Sequence, residues 1–169
     1  QDIRVLSVHK APDRFHARLS AESKRYEYRI DCGRIANVFE RKYLYRIDEP
    51  LNLAKMQEAA ALLTGTHDFK SFCANKHMKK STVRTIHEIS FEENGGILTI
   101  CYHGDGFLAH MVRILTGTII EVGLGDRLLS QVSTALEGRD RALAGFTAPP
   151  QALFLAEVYY PEEILAGMQ

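Results

Sequence analysis

Between Gly104 and Gly125 the chain reads as a strand that breaks at two glycines and enters an apolar helix carrying one arginine. Leu108, Met111, Val112, Leu115, Ile119 and Val122 recur at spacings of three and four, which predicts a single buried stripe. Arg113 falls between Val112 and Ile114 and shares a second stripe with Gly106, His110 and Gly117. Glycines there admit another segment closely, so the guanidinium is expected in a recess. A guanidinium is always charged and is costly to bury alone, so an arginine so placed calls for an anionic partner. The same spacing also fits an arginine that snorkels to water or pairs with an acid of its own fold.

The charge balance, 21 basic against 21 acidic residues, gives no global attraction to nucleic acid, so an anionic partner has to be met by a local patch. At 169 residues the chain is expected to form one domain with a real core. Cys32, Cys73 and Cys101 are widely spaced and odd in number, as in a cytosolic protein with reduced thiols. No apolar run reaches membrane-spanning length and none reads as a signal segment, so the expectation is a cytoplasmic protein without a membrane partner. The run opens Gln1-Asp2-Ile3 without an initiator methionine, which reads as a piece of something longer.

Strand and helix signals are mixed along the chain. Ile3 to Val8 suggests a first strand, Phe15 to Ala21 alternates, and Tyr26, Tyr28 and Ile30 alternate with Arg25, Glu27 and Arg29 as a half-buried strand. Gly33 to Pro50 is irregular. Asn52 is placed to cap a helix through Leu63 with Leu53, Met56, Ala60 and Leu63 on one face. A strand near Val83 to Phe91, a turn through Gly95-Gly96 and a return strand from Ile97 predict a hairpin. Ser130 is placed to cap a short helix ending before Gly138, and Leu153 to Tyr160 reads as a last strand. The order predicts an α+β fold: one mostly antiparallel sheet with helices packed on one face.

Lys76, His77, Lys79, Lys80 and Arg84 form a basic run without an acid between Asp68 and Glu88. Phosphate contact and an ordinary solvated surface both account for it. Tyr26 is either a core residue or a flat ring against which a base can stack. The seven histidines show no metal-ligand spacing with cysteines or carboxylates, and no nucleophile elbow is present.

These elements together resemble the tRNA pseudouridine synthase A family over nearly the whole chain. The likeness runs through Phe15-His16-Ala17-Arg18, Lys24-Arg25-Tyr26-Glu27-Tyr28, Leu63-Thr64-Gly65-Thr66-His67-Asp68-Phe69 and Thr82-Val83-Arg84-Thr85-Ile86. It is strongest at Gly106-Phe107-Leu108 with Met111-Val112-Arg113, and closes with Thr147-Ala148-Pro149 and Leu153-Phe154-Leu155. The resemblance implies isomerisation of uridine to pseudouridine at positions 38 to 40 of the tRNA anticodon arm, with no metal or organic cofactor. It also implies a homodimer and a ferredoxin-like half-fold. The target base is flipped out of the stack, since the reacting bond is otherwise inaccessible.

By the same resemblance Arg113 pairs with a nucleophilic aspartate, Tyr26 packs against the target base, Leu153 lines the pocket, and residues of this half meet backbone phosphates; the basic run of Lys76, Lys79, Lys80 and Arg84 is expected to make those contacts. The family places that aspartate in a Gly-Arg-Thr-Asp-Ala-Gly loop, which does not occur among the eight aspartates of this chain. The chain is therefore expected to be the C-terminal domain of the enzyme, residues 1–169, inactive without an N-terminal domain. The alternative is a non-catalytic RNA-binding module that kept the fold and lost the aspartate. Ala152 stands where the family usually has glycine, a methyl expected to crowd the pocket slightly.

Overall fold

The computed structural model describes residues 3–167; Gln1, Asp2, Met168 and Gln169 lie outside the described residues. Among the described residues six strands form one sheet: β1 (Ser23–Asp31), β2 (Tyr45–Arg46), β3 (Gly65–Asp68), β4 (Val83–Asn94), β5 (Ile97–Gly104) and β6 (Leu153–Tyr159). The order is β2-β1-β5-β4-β3, with β6 paired to β1 beyond the short β2. All pairings are antiparallel except β1 with β2. Four α-helices among the described residues accompany it: α1 (Leu53–Leu63), α2 (Met111–Leu124), α3 (Leu129–Gly138) and the short α4 (Glu162–Ala166).

The pleat of β1 divides the two sides. Tyr26, Tyr28 and Ile30 face the helices, with Tyr28 and Ile30 fully buried. Arg25, Glu27 and Arg29 face away, where Glu27 bridges both arginines and Arg29 lies 4.4 Å from the Phe154 ring centroid. Alternation of residue type along one strand thus fixes which side of the sheet receives the helices.

α2 is the centre of the core. Leu108, Met111, Val112, Leu115, Ile119 and Val122 are all buried, as their spacing predicts. Burying a side chain of this size contributes about 1.5–3 kcal/mol. The polar groups taken in with them are bonded: Thr116 Oγ1 donates to the Val112 carbonyl and shares a 2.8 Å bond with the Tyr102 hydroxyl. α1 packs on α2, α3 and β4. It starts where expected, with Asn52 Oδ1 accepting from the Lys55 N–H at 3.1 Å. The hairpin turns on Gly95 and Gly96, whose φ values of +59° and +83° suit a two-residue turn.

Several expectations give way. Ile3 to Val8 forms no strand; Val5, Leu6 and Val8 are 72%, 84% and 85% exposed. Alternation supplies one face of a strand, but a ladder needs a partner, and none pairs here among the described residues. Phe15 to Ala21 is a run of turns: Ser20 N–H bonds the His16 carbonyl, and His16 Nδ1 accepts from the Arg18 and Leu19 N–H groups. Local side-chain bonds there outcompete an extended backbone.

α2 begins at Met111 rather than Leu108, after His110 in the left-handed region at φ 57°, so Gly106 and His110 lie outside the helix and off the second stripe. α3 is capped by Gln131 Oε1 accepting from the Leu128 N–H at 2.8 Å, not by Ser130, which stands inside its first turn. β2, β3 and α4, of two, four and five residues, were too short to show a period.

Candidate functional site

Arg113 stands in the first turn of α2, partly buried. The segment Ala144 to Ala148 runs alongside the helix and is bonded to it repeatedly. Gly145 N–H donates to Thr118 Oγ1 at 2.9 Å and Phe146 N–H to Glu121 Oε1 at 3.1 Å. Ala148 N–H donates to the Arg113 carbonyl at 3.0 Å. Gly117 permits this approach, since a Cβ there would overlap the Phe146 carbonyl oxygen. The glycine read from the sequence as an approach point is one.

Arg113 Nε returns the bond, donating to the Ala148 carbonyl at 2.6 Å. The next carbonyl, Pro149, accepts from the Tyr28 hydroxyl at 2.8 Å. An arginine and a tyrosine therefore grip consecutive carbonyls of one loop, and that loop leads through Pro150–Ala152 into β6 at Leu153. Burial pushes the Tyr28 hydroxyl pKa well up, the neighbouring Tyr45 adds to this, and the nearby Arg113 charge pulls part of the way back. Among the described residues Arg113 forms no ion pair.

Tyr28 links the three residues expected to line the pocket. Leu153 lies directly across from it on β6, and Tyr26 is two residues earlier on the same face of β1. Tyr26 is partly buried and packs T-shaped against Phe107, with ring centroids 5.2 Å apart and planes at 81°. Burial raises its hydroxyl pKa, and the charge of Arg18 lowers it in part. Ala152 is fully buried within the core cluster.

The basic run divides. Lys79, Lys80 and Arg84 line a cavity of about 300 Å³ with Arg18, Asn75 and Phe107. Lys76 is exposed, does not line that cavity, and offers its carbonyl to Lys70 Nζ at 3.1 Å. Nearby acids are already engaged: Asp68 pairs with Arg139 and accepts from Thr82, and Asp105 Oδ1 accepts from the Thr85 N–H at 3.0 Å. Asp105 is thus a backbone anchor beside β4. Tyr28, Phe107 and Arg18 gained no role from the sequence. Tyr28 had a signal, two positions from Tyr26 on one strand face; the other two meet the site only through tertiary structure.

The described residues hold no cluster of three or more potential metal ligands, and none of their helices is long and apolar enough to cross a membrane. What the arrangement offers is a forked cation fixed at one end, aromatic rings beside it, and a cationic cavity next to them.

Comparison with known proteins gives this arrangement a class. The family model described as tRNA pseudouridine synthase matches residues 59–161. The chain is 45% identical over 159 residues to tRNA pseudouridine synthase A of Geobacillus sp. (strain WCH70), covering 94% of this chain and 64% of that protein. Similarity to the Bacillus subtilis (strain 168) protein of the same name is 44% over the same shares, and to that of Thermoanaerobacter sp. (strain X514) 42% over 94% and 65%. The chain belongs to the tRNA pseudouridine synthase family, and it spans a little under two thirds of the length of these relatives.

Proposed function

We propose that this chain forms the arginine-bearing side of the uridine pocket in a tRNA pseudouridine synthase acting at positions 38 to 40 of the anticodon arm. The observation that carries the reading is Arg113: partly buried, fixed through Nε to the Ala148 carbonyl, and without a carboxylate partner among the described residues. A guanidinium held at Nε keeps its two terminal nitrogens for a planar, two-bond grip on a carboxylate. In this reading an aspartate from an N-terminal domain outside these 169 residues takes that grip and is held ionised by it.

Conversion of uridine to pseudouridine breaks the N1–C1′ bond, makes a C5–C1′ bond, releases the C5 proton and places a proton on N1. The isomerisation balances without an oxidant or reductant. The aspartate acts as nucleophile, Arg113 orients it, and Tyr26 and Leu153 hold the flipped uracil, which has to leave the stack for the reaction to occur. Lys76, Lys79, Lys80 and Arg84 meet backbone phosphates, the protein acts as a cytoplasmic homodimer, and tRNA lies across both copies.

The test is tritium release from tRNA carrying uridine labelled at C5. The chain alone is expected to stay at background, and the chain joined to the N-terminal domain that carries the aspartate is expected to turn over. Release by the isolated chain would refute the division of labour; tRNA binding without turnover in both forms would favour a non-catalytic RNA-binding module.

A further inference from the structure

The cavity beside Tyr26 is a cluster of cations without matching anions. Arg18, Lys79, Lys80 and Arg84 line it, no carboxylate does, and none of the four forms an ion pair among the described residues. In a chain with 21 basic and 21 acidic residues, such a concentration is local.

Its walls are anchored. Ala74 N–H donates to the Ala109 carbonyl at 2.9 Å, tying the loop of the basic run to the turn before α2. Asn75 Oδ1 accepts from the His77 N–H at 3.1 Å, and an Arg84 terminal nitrogen donates to the Ser81 carbonyl at 3.1 Å. Phe107 forms part of the wall and presents its ring to Tyr26 at 5.2 Å, so one aromatic side chain separates the cavity from the tyrosine. Arg18 comes from a distant turn, and its charge is felt at the Tyr26 hydroxyl.

We infer that this cavity seats an RNA backbone phosphate adjoining the nucleotide whose base lies at Tyr26, with Arg18 and Lys79 as its principal phosphate ligands. The inference rests on the uridine-pocket reading and adds Arg18, Asn75 and Phe107 to it. Its volume, about 300 Å³, is at the small end of ligand-sized clefts, enough for one phosphate and its sugar rather than a duplex. Phe107 then acts as a positioning residue, spacing phosphate from base so that both are engaged at once.

The experiment measures binding of a fluorescein-labelled anticodon stem–loop RNA against salt for the unaltered protein, Arg18→Gln, Lys79→Gln and, as a control on α1, Lys55→Gln. All three side chains are exposed, so folding is not at stake. Arg18→Gln and Lys79→Gln are each expected to reduce the log–log salt slope by about 0.7–0.9 and to weaken binding about fivefold at 0.15 M salt. In turnover they raise KM and leave kcat unchanged, and Lys55→Gln changes nothing. Slopes for Arg18→Gln and Lys79→Gln equal to that of Lys55→Gln, with RNA still bound, would overturn the cavity and leave the uridine-pocket reading standing. No RNA binding by the unaltered protein would overturn both.

Discussion

The Arg113 clamp and the basic cavity both present cations, but they are built differently. The clamp is made of backbone contacts: Arg113 and Tyr28 hold the Ala148 and Pro149 carbonyls, and Gly117 lets the loop lie against α2. The cavity is made of long side chains, with Arg18, Lys79 and Lys80 exposed on turns and loops and Arg84 on β4 bonded to the Ser81 carbonyl, above a loop pinned to the turn before α2. A group whose position matters to a reaction is fixed by carbonyls and packing, whereas groups that attract a polyanion can remain mobile and act through charge. Substitutions in the first region should therefore alter stability and turnover together. Those in the second should alter salt-dependent binding alone.

Gly117→Val challenges the clamp most severely. Its side chain has to occupy the space of the Phe146 carbonyl, so the loop must leave α2; we expect a loss of about 3 kcal/mol in urea unfolding and a fall in turnover. Unchanged stability would mean that the loop is not held where it lies. Tyr28→Phe removes one hydroxyl and leaves the Pro149 carbonyl without that donor, an expected cost of about 1–2 kcal/mol. Loss of turnover without loss of stability would instead point to a direct part for that hydroxyl in the chemistry. On the other side of the comparison, Lys79→Ala with Lys80→Ala should change stability by less than about 0.5 kcal/mol. The salt slope of tRNA binding should fall by about two units. An unchanged slope would return both lysines to the solvated surface.

The two regions were unequally legible before folding. The buried stripe of α2 and the value of Gly117 follow from a 3.6-residue period, and the Asn52 cap from one residue type ahead of an apolar run. Period says nothing about partners, so Ile3 to Val8 could imitate a strand and Phe15 to Ala21 could hide a set of turns. Arg113 was visible as an arginine out of place on an apolar helix. That Ala148 and Pro149 hold it and Tyr28 was not, because 35 and 121 residues separate the partners. Lys79, Lys80 and Arg84 were visible as a run, while Arg18 reaches the same cavity from 61 positions before Lys79 and carries no local sign of it.

The central claim is that Arg113 serves the reaction and not the docking of tRNA. It is tested most directly by steady-state tritium release from C5-labelled uridine in tRNA, comparing Arg113→Lys with the unaltered chain, each joined to the aspartate-bearing N-terminal domain proposed above. Lysine keeps the charge but not the planar fork, and a misplaced reacting group costs on the order of a hundredfold in rate. We predict kcat lower by about that factor with KM within about twofold. A KM raised tenfold or more at unchanged kcat would contradict the account and place Arg113 among the residues that merely bind RNA.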